Sequence, residues 1–380
     1  MRIGVDIRVL MDKHYSGVSQ YASSLLRTML KIDKDDEFRL FYNSYHDVRA
    51  NIGSFDHAQL SIKRSRIPNK IFNYFLQKSL AWPKLDKLVG GVDIFWSPHI
   101  NFTKLSSRTK HVLTIHDISF LRYPEFFSYR KNFWHKALVL KKLTDSCAAI
   151  VAVSENTRRD IIDLLQVPEE KVITIYSGLN VSVALPSPEK EKNFFRRHEL
   201  KSNFILYLGT IEPRKNIAGL IYAYNRLRDE NIKLVDVQLV LAGANGWRNR
   251  AIYRAWENSP YRRDIKFLGY VSDGEKELLY RRAQVFVYPS YYEGFGLPPL
   301  EAMAHSLPVI TSNVSSLPEV VGAAALSINP YDINEIAKAL ELVVTNAELK
   351  AQLIKSGQEQ IKKFSWEKTA QEYFKLFKNL

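Results

Sequence analysis

The sequence predicts an α/β protein of two units, each built on a mainly parallel sheet, and three observations carry that prediction. Short apolar runs alternate with helical patterns over residues 1–181 and again over 202–364, and strands that alternate with helices make βαβ units rather than hairpins. Between the two series runs Ser182–Lys201, with Pro186, Pro188 and dense charge, which reads as a linker. With 380 residues, 46% hydrophobic and 25% charged, the chain is long enough for two ordinary cores and has no bias toward disorder.

In the first unit the apolar runs place strands at Arg2–Ile7, Glu37–Tyr42, Val92–Trp96, Val112–Ile115, Ala149–Val153 and Val172–Ile175. In the second they place them at Phe204–Leu208, Gln238–Leu241, Ile265–Leu268, Val285–Tyr288, Val309–Thr311 and Ala324–Ser327. The last segment, 365–380, sets Trp366, Ala370, Phe374 and Phe377 near one helical face and is expected to pack as a helix. No short solenoid repeat and no low-complexity tract is present.

Composition narrows the classes. No window offers about 18 uninterrupted apolar residues, so no segment is expected to cross a membrane. The N-terminal run Met1–Ile7 reads as a strand rather than a secretory signal. The single cysteine, Cys147, beside Ala148–Val153, precludes an internal disulfide, reads as a core thiol and fits a reducing cytoplasm. The net charge of +14 is uneven: residues 1–180 hold 27 Lys+Arg against 18 Asp+Glu. Much of the excess lies in Ser61–Leu88, where Lys63, Arg64, Arg66, Lys70, Lys78, Lys84 and Lys87 mingle with Phe72, Tyr74, Phe75 and Trp82. A second basic stretch is Phe126–Leu143, with Arg130, Lys131, Lys136, Lys141, Lys142 and Trp134. Interleaved cations and aromatics suit the anionic inner face of a membrane, or form ordinary charged helix faces over a buried stripe.

The most informative stretch is Tyr291-Tyr-Glu-Gly-Phe-Gly-Leu-Pro-Pro-Leu-Glu-Ala-Met-Ala304, with seven residues between Glu293 and Glu301. Gly294, Gly296, Pro298 and Pro299 argue against one helix through both carboxylates. Glu293 therefore reads as a loop residue after the strand Val285–Tyr288, and Pro298 and Pro299 suit the first turn of a helix that carries Glu301 on its opening turn. Backbone N–H groups at such a turn favour phosphate, and a carboxylate beside it accepts hydrogen bonds from sugar hydroxyls. A second run, Gly209-Thr-Ile-Glu-Pro-Arg-Lys-Asn216, puts Arg214 and Lys215 at the carboxyl end of a strand, where open sheets bind ligands.

These segments resemble the E-x7-E and E-x-x-K-N signatures of retaining glycosyltransferases of family four, and the resemblance covers nearly the whole chain. It implies the GT-B fold, two Rossmann-like domains facing each other across a deep cleft, with residues 365–380 crossing back onto the first domain. It implies that Arg214 and Lys215 bind the donor diphosphate and that Glu293 and Glu301 clamp the sugar nucleotide. Gly209, Gly294, Phe295, Gly296, Leu297 and Ser290 then line the donor site. Val271, after Phe267-Leu-Gly-Tyr, lies where family members hold the nucleotide base through backbone groups. His116, at the end of Val112–Ile115, resembles the histidine that reaches the donor sugar, so it is assigned to sugar positioning and transition-state support, with Asp117 behind it. In Ser16-Gly-Val-Ser-Gln-Tyr21, Gly17 matches the family's glycine turn toward donor phosphate, whereas Ser19 stands where a second glycine is common.

The resemblance is strongest to O-antigen mannosyltransferases. It implies transfer of mannose from GDP-mannose, with retained configuration, to a polyprenyl-diphosphate-linked glycan at the inner membrane face. Donors carried on UDP are the alternative; a GT-B epimerase and a nucleic-acid-binding protein are remote ones, the last for want of any nucleic-acid motif. No metal or other cofactor is expected: Asp33-Lys-Asp-Asp36 contains a D-x-D but reads as a solvated turn, and the two cations serve the diphosphate. Glu293→Ala is expected to remove activity with folding intact.

Overall fold

The structure, a computed structural model, describes residues 1–12, 17–77, 83–127, 139–180, 187–231 and 236–380. One sheet contains β1 (Arg2–Asp6), β2 (Glu37–Asn43), β3 (Leu60–Ser65), β4 (Ile94–Ser97), β5 (Lys110–Ile115), β6 (Ala149–Ala152) and β7 (Val172–Thr174), in the order β3-β2-β1-β4-β5-β6-β7. The other contains β8 (Phe204–Leu208), β9 (Gln238–Ala242), β10 (Ile265–Gly269), β11 (Val285–Tyr288), β12 (Val309–Ser312) and β13 (Leu326–Ile328), in the order β10-β9-β8-β11-β12-β13. Every ladder is parallel. Parallel sheets are covered on both faces, which is why β11 is buried throughout as Val-Phe-Val-Tyr rather than alternating. Each sheet reverses its order once, at β1/β4 and at β8/β11.

The expected strands are all present, and β3 is an addition. Among the described residues Leu60-Ser-Ile-Lys-Arg-Ser65 pairs with β2 alone and leaves Ile62 and Lys63 exposed, so it carries no apolar run; charge is usual on a sheet edge. Arg64 is tied into the fold, its Nε and Nη2 donating to the carbonyls of Ser44 at 3.0 Å and Tyr45 at 2.7 Å. The helix Asn69–Gln77 buries Phe72 and Leu76 against Phe41, Leu85, Val89 and Phe95, and exposes Ile71 and Tyr74 beside Lys70. Lys78 and Trp82, and Arg130, Lys131, Trp134 and Lys136, lie outside the described residues. Among the described residues no helix is long and apolar enough to cross a membrane. Cys147 is buried, and burial pushes its thiol up to about 12, as suits a core residue.

The chain forms two compact units. One contains the described parts of Met1–Arg122, Tyr129–Gly178 and Phe364–Leu380; the other those of Tyr123–Ser128 and Leu179–Lys363. Two segments depart from the expected division. Residues 123–127 group with the second unit, where Trp247 Nε1 donates to the Phe126 carbonyl at 2.6 Å and Phe126 stacks on Tyr291. Residues 182–186 of the expected linker lie outside the described residues, and the rest of it is largely the helix Pro188–Arg197, capped by Ser187. Pro188 there opens a helix instead of breaking one, since an N-terminal position needs no N–H.

The helix Trp366–Asn379 begins at its cap Ser365 and groups with the first unit. It buries Trp366, Ala370, Tyr373, Phe374 and Phe377. The Tyr373 hydroxyl lies 2.9 Å from that of Tyr21 and 2.6 Å from Thr114 Oγ1, a buried polar contact satisfied on both sides. Gly178 gives the helix room to start, because a Cβ there would lie 2.5 Å from Trp366 N.

Candidate active site

At the reversal point of the second sheet, the loops that follow β8 and β11 leave the carboxyl ends of neighbouring strands. The β8 loop begins at Gly209, whose N–H donates to the Ala242 carbonyl at 2.9 Å. Gly243, opposite, must lack a side chain: a Cβ would sit 1.9 Å from the Gly209 carbonyl oxygen. A single turn, Pro213–Lys215, leads to Asn216, which takes φ +55° and opens the helix Ile217–Glu230. Asn is among the few residues that tolerate that backbone, and its Nδ2 is fixed on the Pro330 carbonyl at 2.6 Å.

The β11 loop is threaded by hydrogen bonds. Tyr291 N donates to the Arg214 carbonyl at 2.9 Å, Glu293 N donates to Ser315 Oγ at 3.0 Å, and Ser316 Oγ donates to the carbonyls of Glu293 at 3.0 Å and Phe295 at 2.8 Å. Gly296, at φ +106°, ends the loop, and the helix Leu297–Ala304 follows with Pro298 and Pro299 in its first turn. Glu301 stands on the second turn, not on the opening turn expected. The prolines also remove two N–H groups from the helix start, which leaves fewer donors for an anion there than a helix terminus usually offers.

The two loops bring Arg214, Lys215 and Glu293 together. Lys215 Nζ lies 2.6 Å from Glu293 Oε1 and Arg214 Nη1 lies 3.1 Å from Oε2. Arg214 also donates to Glu212 Oε1 at 2.9 Å and to the Tyr292 carbonyl at 2.6 Å, and Lys215 to the Tyr288 hydroxyl at 2.7 Å. Burial alone would raise the Glu293 carboxyl, but the Arg214 guanidinium and Lys215 ammonium outweigh it and hold the group at about 2. Burial pushes Lys215 below its ordinary value, against the pull of Glu293. Two cations thus face two carboxylates, and the cluster is neutral as it stands. Among the described residues, Glu212 Oε2 and Ser290 Oγ are buried and make no well-formed hydrogen bond. Ser290 is nonetheless near enough to Glu293 to help hold its carboxyl down.

Glu293 is 6% exposed and balances two buried cations, so its replacement with Ala is expected to disturb folding as well as chemistry. Glu301, in the same unit, is held by Lys276 and Tyr280, and Val271 lies in the loop before their helix, Asp273–Arg282.

The remaining expected residues belong to the first unit. His116 follows β5, and its Nε2 lies 2.8 Å from the Pro98 carbonyl. A carbonyl only accepts, so Nε2 carries the proton; burial pushes the imidazole below its ordinary range, leaving Nδ1 as an acceptor. Asp117 does not hydrogen-bond His116: its Oδ1 accepts from Ser119 N at 3.0 Å and Oγ at 2.6 Å. Gly17 is the first described residue of the helix Gly17–Ile32, and no atom of the described residues lies within 4 Å of where its Cβ would be. The Ser19 hydroxyl donates to the Val9 carbonyl at 2.9 Å. Asp33 accepts from the N–H groups of Asp35 at 3.1 Å and Asp36 at 2.8 Å, which makes its D-x-D a turn. Among the described residues no group of three His, Cys, Asp or Glu could hold a metal ion.

Sequence reasoning missed a buried ion pair at the reversal point of the first sheet. Asp6 and Arg8 meet at 2.5 Å, Arg8 Nη2 reaches the Phe102 carbonyl at 2.8 Å, and His99 faces them. Asp-x-Arg directly after a strand was the available signal.

The sequence model for "Glycosyl transferases group 1" matches residues 189–360, and that for "Glycosyltransferase Family 4" matches 15–183. O-antigen chain mannosyltransferase B of Escherichia coli is 32% identical over 379 residues, covering 96% of each chain. The chain belongs to the family 4, group 1 glycosyltransferases. A second relative, the serotype-specific mannosyltransferase WbdA of Escherichia coli, is 32% identical over 265 residues, which is 69% of this chain and 32% of WbdA. In architecture, the sucrose-phosphate synthase of Thermosynechococcus elongatus superposes with a TM-score of 0.73 at 19% identity, covering 100% of this chain and 98% of that one. The fold of this glycosyltransferase is accordingly GT-B, with two Rossmann-like domains.

Proposed function

We propose that this glycosyltransferase transfers mannose, with retention, from GDP-mannose to a polyprenyl-diphosphate-linked glycan in O-antigen assembly. The observation that carries the reading is the Arg214–Glu293–Lys215 cluster at the β8/β11 reversal point. The name of O-antigen chain mannosyltransferase B, matched over 96% of this chain, supports the sugar.

Transfer requires the departing diphosphate to be neutralised and the sugar to be oriented. Arg214 and Lys215 supply the neutralising charge by exchanging part of their contact with Glu293 for phosphate oxygens. That exchange frees carboxylate lone pairs, and Glu293 then accepts hydrogen bonds from sugar hydroxyls. Gly209, Gly294 and Gly296 let backbone approach the donor, Ser290, Phe295 and Leu297 complete its surround, Val271 serves the nucleoside end, and Glu301 completes the clamp on the sugar nucleotide. His116, neutral and with Nδ1 open to a hydroxyl proton, positions the sugar and is not the general base. Attack comes from the face the nucleotide leaves, with the departing phosphate taking the acceptor proton. No divalent ion or other cofactor takes part.

The exposed Ile62, Ile71 and Tyr74 beside Lys63, Arg66 and Lys70 support peripheral contact with the anionic inner face of the membrane. Melting curves with GDP, UDP, GDP-mannose and UDP-glucose in EDTA test the donor, since a ligand bound to the folded state alone raises its stability. GDP and GDP-mannose alone are expected to stabilise, and Arg214→Ala or Lys215→Ala to abolish the effect. A response to UDP compounds alone overturns the donor, and no response to any nucleotide overturns the site. An inverted product anomer by NMR overturns retention.

A further inference from the structure

The helix Asp273–Arg282 places Lys276 and Tyr280 one turn apart on a single face, and both reach Glu301. Lys276 Nζ lies 3.1 Å from Glu301 Oε1, and the Tyr280 hydroxyl donates to Oε2 at 2.9 Å. One donor therefore holds each carboxylate oxygen, which fixes the plane of the group and leaves each oxygen further lone-pair capacity. The tyrosine cannot swing away: it is 1% exposed, and its ring stacks on His305 at 5.3 Å. His305 is fixed in turn, Nδ1 lying 2.7 Å from the Glu301 carbonyl and Nε2 against the Glu277 carboxylate. A carboxylate merely neutralised at a surface would need one cation. Here two donors from one helix and a buried ring behind them set its orientation, while Glu301 itself keeps 15% of its side chain in solvent.

We propose that Lys276 and Tyr280 are positioning residues that hold Glu301 for a vicinal diol of the donor, on its ribose or on its transferred hexose. The assignment rests on the reading of Glu301 as a donor-binding residue. Because the same helix begins two residues after Val271, the arrangement links the base-side loop to the carboxylate that takes the diol.

The test is calorimetric titration of the full chain with three probes: GDP, 2′,3′-dideoxy-GDP and GDP-mannose, or the UDP set if UDP is the stabilising nucleotide. Wild type is expected to prefer the ligand that carries the diol. In Lys276→Met and Tyr280→Phe that preference falls about tenfold, the worth of a hydrogen bond to a charged group, while the probe lacking the diol binds as before. Lys276→Arg restores it. Loss of the GDP over dideoxy-GDP preference places the diol on the ribose, and loss of the GDP-mannose over GDP increment places it on the hexose. Equal weakening of every probe marks a purely structural role and overturns the proposal. Glu301→Gln separates the two failures: if it abolishes a preference that the Lys276 and Tyr280 variants keep, the positioning role falls alone. If it changes nothing, the donor-binding reading of Glu301 falls with it.

Discussion

Replacing Glu293 with Gln removes one negative charge from the site and keeps its shape. Among the described residues, Arg214 and Lys215 would then be left with Glu212 as the one carboxylate in their cluster, in a place where little water reaches. Two routes give the magnitude. A carboxyl held at about 2, below its ordinary value near 4.5, corresponds to about 3 kcal/mol. Removing one partner from a buried ion pair costs about 3–5 kcal/mol. A loss of about 3 kcal/mol lowers the melting temperature of a unit this size by roughly 6–12 °C. Scanning calorimetry at pH 7 measures it, and the transition of the second unit is expected to move. Saturating GDP should restore more stability to Glu293→Gln than to wild type, since the diphosphate supplies the missing negative charge, while turnover is lost. The sign with pH follows from the depressed carboxyl. Its contribution is complete above about 4.5 and is lost as pH falls through about 2, so the two proteins converge in that window. Melting of the variant within about 1 °C of wild type at pH 7 would refute the charge-balance argument, and near-normal turnover would refute the assigned role.

Burial holds the His111 imidazole at about 4, so the unfolded chain takes up that proton first. Its stabilising effect is complete above about 6.5 and declines by about 2 kcal/mol between pH 7 and 5; urea titrations at the two values should show this, and His111→Asn should flatten the difference. The methyl group of Gly17→Ala meets no atom of the described residues within 4 Å, and the variant is expected to melt as wild type does, so any loss of donor binding reports a close approach by the ligand. Gly243→Ala drives a Cβ into the Gly209 carbonyl and should lose at least about 3 kcal/mol or fail to fold, as far-UV dichroism and melting would record. Changing Lys63, Arg66 and Lys70 together to Ser is expected to weaken sedimentation with anionic vesicles by tenfold or more, at about 1 kcal/mol per cation. Unchanged vesicle binding would remove the membrane contact. Arg64 is left out of that set because its guanidinium holds the Ser44 and Tyr45 carbonyls.

Much of this glycosyltransferase is legible in its residues because the information is local. Parallel strands covered on both faces need unbroken apolar runs, so β8, β9 and β11 are readable from their residues alone, as are the proline-started helix Leu297–Ala304 and the amphipathic helix Trp366–Asn379. Arg214, Lys215, Glu293 and Glu301 are recognisable because glycine turns and short spacings put them at strand and helix ends. β3 is not, since an edge strand paired on one side keeps polar residues and loses its pattern. Nor does Pro188 announce a helix, as the same proline suits a linker or a first turn until neighbours bury Phe194.

What lies beyond the sequence is which charges meet. Arg214 and Glu293 are 79 residues apart, and Lys276 and Glu301 are 25 apart; no periodicity joins them, because sheet order decides their approach. The neutrality of the Arg214–Lys215–Glu212–Glu293 cluster, and the fixing of Glu301 by Lys276 and Tyr280, follow from β8 and β11 lying side by side and from one helix packing on the next. Local pattern specifies elements through burial and backbone geometry, whereas the electrostatics of a site depend on distances that packing alone sets.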